Sequence, residues 1–114
     1  RYGLLNIFLI TPQTSKTRVR YMDSISKGFI YMVSSASTTG AQSGFGQKQQ
    51  DYFKRIDNLN LKNPQIVGFG ISNNKTFKQA TTHAKGAIIG SAFIKHLADK
   101  GVHKIHDFIS GILD

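Results

Sequence analysis

Short apolar runs alternate with longer segments of helical periodicity along the whole chain. Four of these runs have the length of a strand, and each is followed by a polar or glycine-rich turn. We predict strands over residues 6–10 and 29–33, a third strand at Ile66 and Val67, and a fourth over residues 86–90. A Ser/Thr/Gly-rich loop over residues 34–46 follows the second strand.

The segments after the strands carry apolar residues three or four positions apart, which is typical of amphipathic helices. Thr14 or Ser15 is expected to cap the first helix, which ends near Gly28, and Ser72 or Asn73 is expected to cap the third. A fourth helix is predicted from Ser91 and a fifth over residues 103–113. The predicted buried positions are Val19, Met22, Ile25, Tyr52, Phe53, Ile56, Leu59, Phe77, Ala80, Ala84, Ile105, Phe108, Ile109, Ile112 and Leu113.

The fold class follows from this alternation. Strands that are apolar throughout and separated by helices indicate a parallel sheet with covered faces. Right-handed crossovers then leave two α/β architectures, an open doubly wound sheet or half of an eight-stranded β/α barrel. No linker divides the chain, so we expect residues 1–114 to form one segment.

Two glycine-rich strand ends stand one strand–helix unit apart. The first is the segment Ile66-Val67-Gly68-Phe69-Gly70-Ile71-Ser72, and the second is Ala87-Ile88-Ile89-Gly90-Ser91-Ala92. Glycine lets backbone N–H groups approach a ligand closely, and a helix N-terminus adds unpaired donors and the positive end of its dipole. These segments therefore predict an anion site, and phosphate is the usual ligand of such a site in β/α barrels.

The charge balance is strongly basic. Fifteen Lys and Arg face six acidic residues, for a net charge of +9, and every acidic residue is Asp. A basic surface attracts nucleic acid, but the lysines are scattered and are not interleaved with aromatic residues as an RNA platform requires. We interpret the charge as a solvated basic face and expect no nucleic-acid partner.

Other chemistry is weakly represented. The chain has no cysteine, which excludes disulfides and thiolate metal sites and fits a cytoplasmic location. His103 and His106 have helical spacing, but no third ligand accompanies them, and no His–acid pair is placed to activate Ser91. We expect no metal and no membrane span. The chain begins at Arg1, so we interpret it as a fragment, a processed product or an engineered piece.

The residues resemble the C-terminal half of the tryptophan synthase α subunit family from end to end. The resemblance rests on five segments in family order, of which Gly-Phe-Gly-Ile-Ser is the most specific. They are Phe8-Leu9-Ile10-Thr11-Pro12, Gly28-Phe29-Ile30-Tyr31-Met32-Val33-Ser34, the loop ending Thr39-Gly40, Gly68-Phe69-Gly70-Ile71-Ser72 and Gly90-Ser91-Ala92-Phe93-Ile94-Lys95.

The resemblance implies a (β/α)8 TIM barrel of which this chain holds strands five to eight. It also implies a lyase that cleaves indole-3-glycerol phosphate to indole and glyceraldehyde 3-phosphate. The α subunit itself has no cofactor, and indole passes to a β subunit that carries pyridoxal phosphate. The family's catalytic Glu and Asp belong to the half that is not in this chain, so we expect the isolated chain to be inactive.

Site residues are carried over by motif. Gly68, Phe69 and Gly70 are expected to line the phosphate and indole side of the site, and Tyr31 to point at the substrate. Gly90 and Ser91 are expected to donate hydrogen bonds to phosphate. Thr39 and Gly40 are expected in a closing loop, where Thr39 orients a catalytic aspartate, although Ser37 stands where the family has glycine.

Two alternatives remain open from the sequence. A truncated or engineered half-barrel would expose two sheet edges and an apolar inner face, which favour association with a second copy or with the missing N-terminal half. A different phosphate-binding barrel, such as an isomerase of histidine or tryptophan synthesis, would share the glycine pattern but not the Gly-Phe-Gly-Ile-Ser segment.

Overall fold

The computed structural model describes residues 2–34 and 45–114 of the chain. Within these residues, parallel strands alternate with helices in the predicted order. The strands are β1 (Phe8–Ile10), β2 (Ile30–Val33), β3 (Gln65–Gly68) and β4 (Gly86–Ile88), and the helices are α1 (Lys16–Ile25), α2 (Gln47–Asp57), α3 (Asn74–Thr81), α4 (Ser91–Lys100) and α5 (Ile105–Leu113). A short 3-10 helix, Val102–Lys104, separates α4 from α5.

The four strands form one parallel sheet in the order β1-β2-β3-β4. Leu9 lies opposite Tyr31, Tyr31 opposite Ile66, and Ile66 opposite Gly86. A doubly wound sheet reverses its strand order at a switch point, whereas the wall of a β/α barrel keeps the order of the chain. The observed order therefore favours the barrel architecture of the two predicted from the sequence.

The helices cover one face of this sheet. The side chains of successive residues in a strand point to opposite faces of the sheet, so those on the covered face are buried and those on the other face are not. Ile10, Met32 and Val67 are fully buried on the covered face. Leu9 and Ile88, on the other face of the two outer strands, remain 56% and 37% exposed. Among residues 2–34 and 45–114, one apolar face is thus left uncovered, as in a section cut from a barrel.

The core lies between the covered face and the helices. Phe53 and Ile56 of α2 join Val19 of α1 and Ala80 of α3 against the strands. Burial of such aliphatic and aromatic side chains contributes roughly 1.5–3 kcal/mol each. Tyr52, also in α2, is buried and donates a hydrogen bond from its hydroxyl to the Ile10 carbonyl at 3.1 Å.

A buried carboxylate fastens α1 to the segment that enters β3. Asp23 accepts hydrogen bonds from the Lys62 and Asn63 backbone N–H groups at 2.8 and 3.0 Å, and from Asn63 Nδ2 at 2.9 Å. An unpaired buried donor costs free energy, so these hydrogen bonds hold the backbone at Lys62 and Asn63 in place just before β3 begins. The anchor lies at the amino ends of the strands and leaves the other edge free for a site.

The first helix departs from the sequence prediction at Ile25. This residue was expected on the buried face and is 47% exposed. The inward stripe consists of Val19, Met22 and Asp23, and it continues to Ser26, which caps the helix before Gly28. Because two residues turn a helix by about 200°, burial of Asp23 rotates Ile25 toward solvent.

The remaining differences concern the ends of strands and helices and the last helix. The strand β1 begins at Phe8 rather than at residue 6, and β4 ends at Ile88 rather than at residue 90. Leu59 and Ala84 are buried as predicted but lie just beyond α2 and α3. In α5, Ile112 is buried, whereas Ile109 and Leu113 are largely exposed because only one edge of this short helix meets α3 and α4. None of the helices in the described ranges has the length and apolar character that crossing a membrane requires.

Candidate functional site

A cleft of about 860 Å³ opens where the strands end at their carboxyl edge. The turn after β3, the end of β4 and the start of α4 supply most of its walls. Its lining residues are Tyr31, Phe69, Gly70, Ile71, Ser72, Asn73, Ile88, Gly90, Ser91, Ala92, Lys95, His96, Asp99, Lys100 and Phe108. In parallel α/β folds the carboxyl ends of the strands are where ligands bind.

Tyr31 reaches this cleft across a glycine. Its side chain and Gly68 occupy the same face of neighbouring strands, and a Cβ built on Gly68 would overlap the Tyr31 hydroxyl and ring. The Tyr31 ring packs edge-on against Phe69 with their centroids 6.0 Å apart. Burial raises the pKa of the Tyr31 hydroxyl, so this group is a neutral donor and acceptor at physiological pH.

The turn after β3 has an unusual backbone. Phe69 and Gly70 both have positive φ angles, +68° and +83°. This left-handed conformation suits Gly70 but is disfavoured for Phe69, whose Cβ crowds the backbone there. The Ser34 hydroxyl, fully buried after β2, donates to the Gly68 carbonyl at 2.8 Å and also contacts the Phe69 carbonyl.

The amino end of α4 faces the same cleft. Gly90 is the N-cap of this ten-residue helix, and within the described residues no side chain caps it. A Cβ on Gly90 would meet nothing within 4 Å, so the approach to the first N–H groups is open. Such a helix end offers unpaired donors and a partial positive charge to an anion.

The opposite side of the cleft is formed by α4 and α5. The His96 ring packs at a tilt of 51° against Phe108 with the ring centroids 5.1 Å apart, and His96 Nε2 lies 2.7 Å from the Lys104 carbonyl oxygen. Lys95 and Lys100 bring two positive charges to this wall, whereas Asp99 brings one negative charge. The net charge of the wall therefore favours an anionic ligand over a cationic one.

The structure brings most of the predicted site residues together. Tyr31, Phe69, Gly70, Gly90 and Ser91 all line the cleft. Gly68 instead lies beneath Tyr31, where it provides room for the ring. Thr39 and Gly40 lie outside the described residues.

Several residues of the site were missed by sequence reasoning. Ile88, the last residue of β4, belongs to the second glycine-rich segment, but only Gly90 and Ser91 of that segment were predicted as site residues. Lys95 and Asp99 follow Ser91 at helical spacing, so the period of α4 could have placed them on the same wall. Ser34 gave no local signal, since its partners lie 34 and 35 positions further along the chain.

The described part of the chain offers no obvious metal centre. Among residues 2–34 and 45–114, no three His, Cys, Asp or Glu side chains are grouped so as to hold an ion. His106 lies near Ser110 instead, with Nε2 3.5 Å from the hydroxyl oxygen. The groups assembled at the cleft are backbone amides, hydroxyls, aromatic rings and lysines, which suit an organic anion.

The strand order, the single covered face and the cleft at the carboxyl edge define part of a β/α barrel. A family model described as tryptophan synthase alpha chain matches residues 1–110. The chain belongs to this family. It is 70% identical over 112 residues to the tryptophan synthase alpha chain of Flavobacterium johnsoniae and 63% identical over 112 residues to that of Flavobacterium psychrophilum.

Solved structures agree with this assignment. The α-subunit of tryptophan synthase from Pyrococcus furiosus superposes with a TM-score of 0.77 at 25% identity, covering 97% of this chain and 45% of that one. A structure of the α2β2 complex from the same organism gives a TM-score of 0.74 at 29% identity, covering 96% of this chain and 44% of that one. Each Flavobacterium alignment covers 98% of this chain but 44% of the relative, so the chain spans less than half the length of those relatives. The fold is thus about half of a TIM barrel.

Proposed function

We propose that this chain is the substrate-binding half of a tryptophan synthase α chain, covering strands five to eight of its (β/α)8 barrel. The reaction is the cleavage of indole-3-glycerol phosphate to indole and glyceraldehyde 3-phosphate in tryptophan biosynthesis. The observation that carries this proposal is the cleft, which unites both glycine motifs and Tyr31 in a chain of this family. We treat residues 1–114 as one half-barrel segment.

The amino end of α4 is the proposed phosphate site. Gly90 leaves the first N–H groups of the helix accessible, and Ser91 adds a hydroxyl beside them. The Gly70 amide, on the neighbouring turn, is a further donor. A dianionic phosphate gains from several such charge-assisted hydrogen bonds and from the helix dipole.

The indole ring is proposed to lie against the aromatic and aliphatic part of the cleft. Tyr31 and Phe69 already form an edge-on pair, and Ile88 contributes an apolar wall. Gly68 acts indirectly, because it lets the Tyr31 ring lie flat across β3. Thr39 and Gly40, outside the described residues, are proposed to help close the site and position a catalytic aspartate.

The acid–base chemistry is proposed to come from outside this chain. Cleavage requires one group to protonate the indole ring and another to accept a proton from the glycerol hydroxyl. Among the acids in the described ranges, Asp99 alone lines the cleft, and it lies on exposed surface of α4. We therefore expect the isolated chain to bind phosphate weakly and to show no turnover.

The partners follow from the same proposal. The N-terminal half-barrel supplies the catalytic carboxylates, and a β subunit carrying pyridoxal phosphate receives the indole. The α2β2 complex of tryptophan synthase from Pyrococcus furiosus is a relative that assembles with β subunits, which supports a β subunit as partner. We propose a cytoplasmic location for the complex.

The test is a chimera in which this chain replaces the matching segment of the Flavobacterium johnsoniae α chain, which covers 44% of that protein. We expect the chimera to convert indole-3-glycerol phosphate to indole, and the isolated chain not to do so. A chimera that folds and remains inactive would contradict the assignment of this half-barrel to the reaction.

A substitution in the chimera tests the phosphate site directly. Ser91→Asp places a negative charge at the amino end of α4, so we expect the KM for indole-3-glycerol phosphate to rise at least about tenfold, as loss of one charge-assisted bond predicts. Ala98→Asp introduces the same charge at an exposed position of the same helix, outside the cleft lining, and is the matched control. Equal effects of the two substitutions would argue against a phosphate at this helix end.

A second candidate function is that of a half-barrel that associates with another copy of itself. The exposure of Leu9 and Ile88 on the uncovered face favours it. In the part of the chain that the structure describes, the outer edges of β1 and β4 pair with no further strand, and two four-stranded halves would together supply eight strands. Association of two copies would bury the face of the sheet that bears Leu9 and Ile88, and completion of the barrel by the N-terminal half would bury the same face.

A further inference from the structure

A buried hydroxyl connects the end of β2 with the turn after β3. Ser34 is 0% exposed, and its backbone N–H donates to the Gly68 carbonyl at 3.1 Å. Its Oγ lies 2.8 Å from the same carbonyl and also hydrogen-bonds the carbonyl of Phe69. A hydroxyl has a single proton, which is shared here between two successive carbonyl groups.

These contacts hold a backbone conformation that the turn would otherwise avoid. Phe69 has a φ of +68° although it carries a Cβ, and Gly70 follows with a φ of +83°. A non-glycine residue keeps such a conformation only when its surroundings over-determine it. Ser34 supplies that restraint, because its hydroxyl bonds both the Gly68 carbonyl, which precedes the Phe69 nitrogen, and the carbonyl of Phe69 itself.

A second contact supports the turn from behind. A Cβ on Gly70 would lie 3.0 Å from the Phe45 ring and 3.5 Å from Ser34 Oγ, so the turn is closely packed on this side. Phe45 is itself buried, and its N–H donates to Gln79 Oε1 at 3.0 Å. The turn therefore has little room to shift toward the core.

The direction of the peptide groups then determines which backbone groups of the turn face the cleft. In a trans peptide the C=O of one residue and the N–H of the next point in opposite directions, and the described residues contain no cis bond. Carbonyls held against Ser34 thus turn the N–H groups of Phe69 and Gly70 to the other side. Both residues line the cleft.

We propose that Ser34 is a positioning residue of the anion site, which holds the Gly70 amide toward the bound phosphate. This inference rests on the proposed function, since it assigns the phosphate to the cleft. Ser34 does not touch the ligand. Its contribution is to prepare the donor before the ligand arrives, so that binding does not have to order the turn.

The test uses the chimera with Ser34→Ala, which removes the hydroxyl and keeps the backbone bond. We expect the Kd for inorganic phosphate by calorimetry and the KM for indole-3-glycerol phosphate to rise about tenfold, as weakening of one hydrogen bond to a charged group predicts, with a much smaller change in kcat. Ser34→Cys, which keeps a weak donor of larger size, is expected to lie between serine and alanine. In ¹⁵N–¹H spectra, the Gly70 amide of the Ser34→Ala chimera should shift less on addition of phosphate.

Ser26→Ala is the matched control. Ser26 is 1% exposed, it caps α1 ahead of the opposite end of β2, and among the described residues its hydroxyl has no hydrogen-bond partner. Its removal should leave the Kd and KM unchanged. A Ser34→Ala chimera with lowered Tm but normal Kd, KM and Gly70 response would overturn the inference and leave the proposed function standing. An unsubstituted chimera that binds no phosphate would overturn both.

Discussion

At the residue scale, the glycines of the two motifs serve different purposes. Gly70 supplies a backbone conformation, since its φ is +83°. Gly90 leaves space in front of a helix end, where a Cβ would meet no atom within 4 Å. Gly68 supplies clearance for Tyr31 on the neighbouring strand. Glycine is therefore needed at these three positions for three different reasons, which are a left-handed backbone, open space before a helix and room for a neighbouring ring.

The clearance at Gly68 leads to a prediction about paired substitutions. In the chimera, Gly68→Ala forces a methyl group into the Tyr31 ring, and we expect a loss of about 1–3 kcal/mol in the free energy of unfolding. Adding Tyr31→Ala removes the obstacle, so the double variant should be more stable than the sum of the single effects predicts. Urea denaturation of all four proteins measures this coupling.

The control for this cycle is a glycine that has room for a methyl group. Gly111 lies in the exposed part of α5, and a Cβ added there would meet no atom within 4 Å. Gly111→Ala should therefore stabilise the chimera by up to about 1 kcal/mol. Strict additivity of Gly68→Ala and Tyr31→Ala would show that the ring does not rest on the glycine.

At the element scale, local hydrogen bonds decide where helices begin and how they attach to the sheet. Asn73 and Thr76 form a capping box at the start of α3, in which the Asn73 side chain accepts from the Thr76 N–H at 2.9 Å. Thr76 Oγ1 in turn accepts from the N–H groups of Ser72 and Asn73 at 2.9 and 3.1 Å. These bonds fix the wall of the cleft that runs from β3 into α3.

Thr76 therefore tests the role of a hydroxyl separately from that of shape. Thr76→Val keeps the side-chain volume but leaves two backbone donors unpaired at a fully buried site, so we expect a loss of about 2–4 kcal/mol in unfolding free energy. Thr76→Ser keeps the hydroxyl and deletes a methyl group, which should cost about 1 kcal/mol. Urea denaturation of the two variants in the chimera measures both losses. Equal unfolding free energies of the valine and serine variants would contradict a role for the Thr76 hydroxyl.

The attachment of α2 to β1 carries a pH dependence. Burial raises the pKa of the Tyr52 hydroxyl above the unfolded value, an effect that the nearby Arg55 guanidinium opposes only in part. A group with a raised folded-state pKa contributes stability below its unfolded pKa, and that contribution is lost as the pH rises further. With an unfolded pKa near 10, ionisation of the unfolded chain should remove about 1.4 kcal/mol by pH 11.

Substitution of Tyr52 isolates this contribution. At pH 8, Tyr52→Phe should lower the stability of the chimera by about 1 kcal/mol, because the Ile10 carbonyl loses its donor. Between pH 9 and 11 that difference should shrink or reverse, since phenylalanine cannot ionise. Tyr21→Phe, at a position 60% exposed, is the control and should show a far smaller change. A constant difference across this range would contradict the assignment to Tyr52.

At the scale of the whole molecule, the sequence predicts features set by neighbouring residues and misses contacts between residues that are far apart in the chain. The caps at Ser15 and Asn73 were placed within one residue because cap chemistry involves only near neighbours. The parallel α/β class followed from the alternation of apolar runs and helical periods. The contact of Ser34 with Gly68 and the clearance for Tyr31 join different strands, so no local pattern announces them.

The uncovered face of the sheet gives half of a barrel a reason to associate that a closed barrel lacks. Leu9 and Ile88 lie on the two outer strands, and apolar residues near the amino end, such as Leu4 and Leu5, are also largely exposed. Burial of such side chains contributes roughly 1.5–3 kcal/mol each when a partner covers them. The isolated chain therefore gains free energy from any partner that supplies a complementary sheet face and two strand edges.

We predict that the isolated chain self-associates, with a mass by light scattering of at least twice the 12.6 kDa of one copy. Leu9→Ser combined with Ile88→Ser should shift it toward the monomer, because the paired face then carries hydroxyls without partners. In the chimera the N-terminal half already covers this face, so the same double substitution should lower stability and leave the mass unchanged. A monomeric isolated chain at micromolar concentration would mean that the open face is tolerated in water and that only its own N-terminal half fits it.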